Sequence, residues 1–190
     1  MSQANAPIYQ IKITLRDSKP PIWRRLLISS ETTLDKLHRI IQVAMGWYDS
    51  HLHMFDIHSQ QYSAPLPYDP GHLAELRMKS TNRVRLSKLI TGEGDRFIYE
   101  YDFGDSWKHQ IVVEKILPPD PKQKLPICIT GKRACPPEDV GGVWGYESFL
   151  EAIKDPTHPE HEEYLEWVGD DFDPDAFDLD EVNANLKMIR

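Results

Sequence analysis

Four short stretches of this chain combine residue types that can do chemistry. "YDFGDSWKH" (101–109) holds an Asp-Phe-Gly triplet, which in a protein kinase sets an aspartate against magnesium. "HLHMF" (51–55) spaces His51 and His53 by two, so on a strand both imidazoles project from one face. With a third histidine or a carboxylate, that is a zinc or iron ligand geometry. "ACPPEDVGGVWGY" (134–146) suspends Glu138 and Asp139 between Pro136-Pro137 and Gly141-Gly142, where they can hold a cation or act as acid and base. "DDFDPDAFDLDE" (170–181) alternates aspartates as a calcium loop does.

Two of these patterns fail on their own terms. No glycine-rich phosphate loop and no His-Arg-Asp catalytic triplet precede the Asp-Phe-Gly, so it is not a kinase motif. Counting from Asp171, the calcium loop has Ala176 where glycine is needed and Val182 where glutamate is needed. Its aspartates read instead as helix caps.

An amphipathic hairpin accounts for most of 96–114. With Gly104-Asp105-Ser106 as the turn, Asp102 faces Lys108, Phe103 faces Trp107, Tyr101 faces His109, Tyr99 faces Ile111 and Phe97 faces Val113. Arg96 then faces Glu114, and a slip of one residue loses both charge pairs. His109 is left as the polar residue on an apolar face. It reads first as a hydrogen-bonded core histidine. The sharper reading joins it to His51 and His53 as metal ligands, with Asp102 or Asp105 turned inward as fourth ligand or base. Glu138 and Asp139 have a structural reading too, as turn caps or as partners of Arg24 and Arg25. No cofactor is required by these patterns, and a divalent metal is the one they admit.

The elements that must position these residues follow from periodicity. Residues 8–15 alternate as an opening strand, and 22–28 form a second strand across the Lys19-Pro20-Pro21 break. Leu34, Leu37, Ile40, Ile41, Ala44 and Met45 make one stripe of a helix capped by Thr33 and stopped by Gly46. "HLHMFDI" returns to strand, and 58–80, rich in proline, is expected as a long loop. "VRLSKLI" suits a helical turn, strands are expected at 96–103 and 107–117, and "LPICITG" adds a brief extended segment.

Three helices close the chain. The first carries Tyr146, Phe149, Leu150 and Ile153. The second starts near Pro159, with Tyr164, Leu165, Trp167 and Val168 packing inward, and the third is capped by Asp178 or Asp180. This order is α+β: a mostly antiparallel sheet, one early helix, and a helical acidic C-terminal third packed on it.

Composition bounds the class. At 190 residues, 40% hydrophobic and 10% aromatic, the chain can bury a core, and one domain over 8–190 behind a disordered tail at 1–7 is expected. No apolar run approaches the ~18 residues of a membrane span, and the N-terminus lacks a signal-peptide pattern, so a cytoplasmic protein without membrane contact is expected. Cys128 and Cys135 are too few for a disulfide scaffold and wrongly spaced for a zinc knuckle, and read as reduced thiols. The formal charge of −8 is uneven: 136–190 hold 16 acidic and 3 basic residues, leaving 14 acidic and 19 basic in 1–135. The acidic balance opposes non-specific DNA affinity, though Arg24, Arg25, Arg83 and Arg85 could meet nucleic acid.

Taken in order, "YQIKITLRDSKPPIWRRLLI", the 32–47 helix, "HLHMF", "YDFGDSWKH", "CPPEDVGGVWGY" and "FDPDAFDLDEVNANL" resemble the plasmid pRiA4b ORF-3-like family over about residues 8–187. The resemblance implies a single α+β domain, sometimes carried by plasmids and mobile elements. It supplies no established activity and no catalytic residues. Some relatives are labelled transposon resolvases, a label this chain does not take because it lacks a recombinase constellation. The expected function is a binding or interaction module linked to mobile elements, with a protein partner. Its pocket would be formed by Trp47, His51, His53 and Asp102 together with Asp105, Trp107, His109, Glu138 and Asp139. The alternatives are a small metal-dependent hydrolase or nuclease using His51, His53 and His109, and a nucleic-acid-binding protein.

Overall fold

The computed structural model describes residues 5–69, 71–169 and 171–189. Its strands are β1 (Ile8–Leu15), β2 (Trp23–Ser29), β3 (His53–Ile57), β4 (Gln60–Ser63), β5 (Lys79–Ser80), β6 (Arg96–Tyr101), β7 (Trp107–Leu117) and β8 (Ile127–Lys132). Its helices are α1 (Leu34–Met45), α2 (His72–Glu75), α3 (Gly142–Lys154), α4 (His161–Val168) and α5 (Leu179–Leu186). The strands form one eight-stranded sheet in the order β5-β4-β3-β6-β7-β1-β2-β8. Every neighbouring pair is antiparallel except β4–β5, so the fold is mixed α+β and dominated by its sheet.

Alternation decides which face is buried. Ile11, Ile13 and Leu15 of β1, Leu26 and Ile28 of β2, Phe55 and Ile57 of β3, Phe97, Tyr99 and Tyr101 of β6 and Trp107, Ile111 and Val113 of β7 are all buried. Helix α1 lies over this face, and its whole apolar stripe is buried with it. Gly46 ends the helix at φ 111°, a left-handed conformation that glycine adopts without strain. At the other end the Thr33 hydroxyl makes no cap bond. The free Leu34 amide is satisfied instead by the Val84 carbonyl (2.9 Å), delivered by the segment before a 3₁₀ turn at Leu86–Lys88.

Several expectations need correction. The β6–β7 register is offset by two residues: Tyr101 faces Trp107, Glu100 faces Lys108, Tyr99 faces His109 and Phe97 faces Ile111. Asp102 leaves the strand at φ 55°; its carbonyl accepts the Ser106 amide (2.6 Å) and its Oδ1 accepts the Gly104 amide (2.9 Å). A five-residue connection therefore replaces the three-residue turn, and Phe103 stands exposed. Glu114 pairs with Arg25 (2.6 Å), not Arg96, because β1 brings β2 to β7 from the other side. The 58–80 loop contains β4, α2 and β5. Helix α3 starts at Gly142, a turn before Tyr146. Of the tail expected at 1–7, residues 1–4 lie outside the described residues; Ala6 is buried, and the Pro7 carbonyl accepts the Ser30 amide (2.9 Å).

The C-terminal helices attach through specific contacts. Phe149 of α3, fully buried, meets Tyr164, Trp167 and Phe172 edge-on. On α5, capped by the Asp178 carboxylate, Asn183 exchanges two 2.8 Å hydrogen bonds with the Cys128 backbone of β8, and Leu186 enters the core.

Candidate functional site

The end of the sheet where β6 stops, β3 starts and α1 finishes gathers the chemistry-bearing residues. Tyr101, the last residue of β6, organises it. Its hydroxyl accepts the amides of Ser50 (2.9 Å) and His51 (3.3 Å) and donates to Glu138 Oε1 (2.7 Å). The same Glu138 oxygen accepts the Tyr48 amide (3.0 Å). One phenol thus ties the 48–51 turn to the 136–141 loop. Burial, with the Glu138 bond acting in the same direction, pushes the Tyr101 hydroxyl well above its ordinary pKa, so it stays a donor.

Trp47 closes the site from below. Its ring contacts Tyr101, Trp107 and His109, and its indole N–H donates to the Pro136 carbonyl (3.0 Å). Asp105 holds the other side of the loop by accepting the Gly141 amide (3.1 Å). Gly142, at φ 69°, allows that approach, because a Cβ there would overlap the Asp105 carbonyl oxygen.

The structure brings His51 to Asp102 and Asp139, with its Nε2 3.8 Å from Asp102 Oδ2 and 3.2 Å from Asp139 Oδ1. It does not bring His51, His53 and His109 together. Strand β3 starts only at His53, so the period of two that would align His51 with it does not apply. His53 turns into the core and stacks flat on His38 of α1, ring centroids 3.5 Å apart. His109, fully buried, lies between Trp47 and Tyr99 and donates Nδ1–H to the Trp107 carbonyl (3.0 Å). Burial holds His53 and His109 at a pKa of about 3, so both are neutral at pH 7. Among the described residues, the one histidine-carboxylate group compact enough for an ion is His51, Asp102 and Asp139.

Glu138 and Asp139 also do not meet Arg24 and Arg25. Arg24 is buried and donates to the carbonyls of Ala44, Trp23 and Lys132, while Arg25 is bidentate to Glu114. Arg85 pairs with Glu31 (2.9 Å). Three of the four arginines considered for nucleic acid are thus engaged within the chain.

Sequence reasoning missed a second network beside the site. His38 Nε2–H donates to the Asp49 carboxylate (2.7 Å), leaving Nδ1 to accept the Tyr99 hydroxyl (2.8 Å). Gln42 donates to that hydroxyl (3.0 Å) and accepts the Asp49 amide (2.9 Å), closing the ring of contacts. The signal was present: His38 and Gln42 are polar residues one turn apart within the helix.

Between 46–48, 135–138, Trp167, Val168 and Phe172 lies a cleft of about 410 Å³. Trp167, expected to pack inward, is 49% exposed on its wall, and Tyr48, which also lines it, is 86% exposed. A smaller recess lined by Asp139, Glu163 and Tyr164 adjoins it through the same Trp167.

Fold and site define an α+β sheet protein with an aromatic-walled cleft at one sheet end. The chain belongs to the plasmid pRiA4b ORF-3-like protein family, whose model matches residues 7–181. It is 36% identical over 181 residues to the uncharacterized protein y4hQ of Sinorhizobium fredii (strain NBRC 101917 / NGR234), covering 94% of this chain and 90% of that protein. It is also similar to the crystal structure of the protein of unknown function MM3350 from Methanosarcina mazei Go1, with a TM-score of 0.82 and 39% identity over 92% of this chain and 97% of that one.

Proposed function

We propose that the chain is a binding module whose cleft takes a cationic segment of a protein partner, such as an arginine- or lysine-bearing peptide. The observation that supports this is the cleft's pairing of exposed aromatic side chains, Tyr48 and Trp167, with the Glu138 carboxylate, and with Glu163 in the recess that adjoins it at Trp167. A guanidinium or ammonium is attracted both by an aromatic ring face and by a carboxylate, and few other groups satisfy both. The excess of acidic residues in 136–190, which supply most of the cleft, adds long-range attraction for a basic partner. The family's plasmid name supports a setting among functions carried by mobile elements. The free thiols of Cys128 and Cys135 support a reducing, cytoplasmic compartment.

Titration with a tetra-arginine peptide, followed by tryptophan fluorescence, tests the reading. Trp167→Ala and Glu138→Gln should each weaken binding about three- to tenfold, the worth of one cation–aromatic or charged contact at a half-exposed site. Tyr68→Ala, equally aromatic and 80% exposed but on the connection after β4, should leave it unchanged. Equal losses in all three variants, or none, would reject the cleft as the binding site.

A further inference from the structure

The geometry points to a divalent-metal site formed by His51, Asp102 and Asp139. It uses one histidine of the "HLHMF" pair and replaces the other two expected imidazoles with carboxylates.

One pair of the ligand atoms already has the spacing an ion imposes, and the third is near it. Ligands about 2.0–2.2 Å from a shared metal sit roughly 3–3.5 Å from one another at tetrahedral or octahedral angles. His51 Nε2 and Asp139 Oδ1, 3.2 Å apart, already have that spacing; Asp102 Oδ2, 3.8 Å from the same nitrogen in a group whose ligand atoms all lie within 4.8 Å of one another, would draw in as the ion binds.

The second observation is the state of that nitrogen. His51 Nε2 is shielded from solvent and makes no hydrogen bond to a described residue, although Asp139 Oδ1 is close enough to accept one. The carboxylate therefore lies off the axis along which the nitrogen's hydrogen or lone pair points. A hydrogen bond needs the oxygen on that axis, whereas an ion on the axis needs its other ligands beside it. A buried polar atom without a partner is uncommon, and an ion coordinated by its lone pair would satisfy it.

The surroundings hold the ligands in place without competing for them. Asp102 spends Oδ1 on the Gly104 amide and leaves Oδ2 toward His51. The Tyr101 hydroxyl fixes the His51 backbone. Asp139 is 71% exposed, so the far side of the ion would face solvent, the open arrangement of a metal that can bind a further ligand. One imidazole with two carboxylates is a borderline donor set. It suits a first-row ion such as Zn²⁺ over Mg²⁺ or Ca²⁺, which prefer oxygen alone.

Isothermal titration of chelator-treated protein with ZnCl₂ at neutral pH tests the site. The expected result is one Zn²⁺ per chain with no measurable Mg²⁺ binding, and a dissociation constant raised about tenfold or more by His51→Gln, Asp102→Asn or Asp139→Asn. Both aspartate changes keep the side chain's shape and its tolerance of positive φ, so circular dichroism should show them folded. His58→Gln, at a histidine paired with Asp95 away from the site, should bind as the parent does. Absence of Zn²⁺ binding overturns the site, as does Zn²⁺ binding of undiminished affinity in folded Asp139→Asn. Peptide titration reads the cleft separately, so either proposal can fail without the other.

Discussion

An imidazole inside a protein stays neutral only while the energy of desolvating its charge exceeds that of leaving the proton in water. His109 and His53 meet that condition: both are buried, and burial takes their pKa from about 6.5 in the unfolded chain to about 3. Below pH 6.5 the unfolded chain therefore binds protons that the folded chain refuses. Stability is fully present above that value and declines as the pH falls toward 3. Each such histidine should contribute a slope of about 1.4 kcal/mol per pH unit within that window. Replacing His109 with phenylalanine, which keeps ring bulk against Trp47 and Tyr99, should remove about one proton's worth of slope from urea unfolding measured between pH 4 and 6; an unchanged slope would mean His109 titrates normally in the fold. The alternation of β7 was enough to place His109 inside. The stacking of His53 on His38 was not legible, because the two are 15 positions apart and no local rule says which helix face meets which strand.

Between elements, the decisive contact is the docking of the 102–106 connection on the N-terminus of α3. Gly142 makes it possible, having both a positive φ and no side chain where the Asp105 carbonyl sits. Gly142→Ala should destabilise the chain by about 1–3 kcal/mol in urea denaturation, since it adds left-handed strain and forces the loop off the helix. Gly92→Ala, with open space around the glycine and no positive φ, should change stability by about 1 kcal/mol or less. The connection itself shows where hairpin reasoning stops. Alternation selects a face but not a partner, because a slip of two residues leaves every side chain on its own face. Cross-strand charge pairing favoured Asp102 with Lys108. The structure instead pairs Glu100 with Lys108 (3.9 Å), since Asp102 uses its carboxylate to build the turn. That shift frees Asp102 Oδ2 to face His51.

At the scale of the whole molecule, Arg24 joins the layers. From β2 it donates to Ala44 at the end of α1 and to Lys132 of β8, and its guanidinium stacks 4.4 Å from the Phe177 ring ahead of α5. Gly131 on β8 leaves room for that ring. Arg24→Ala should lower unfolding stability by roughly 3 kcal/mol, by stranding buried carbonyls that now accept from a charged donor. Arg24→Lys should recover little of it, because an ammonium cannot reproduce the planar fork; full rescue by lysine would show that charge alone matters. What the sequence by itself determined was the strand faces, the α1 stripe with its Gly46 stop, the α+β order and the family, because period, turn chemistry and motif order are local properties. Tertiary structure alone decided that His51 joins Asp102 and Asp139 while His53 and His109 go to the core. It also decided that Trp167 faces a cleft and that Arg24 is interior. Those outcomes depend on which turn ends β6 and on which long-range neighbours compete for each polar group, and neither is written in the spacing of residues along the chain.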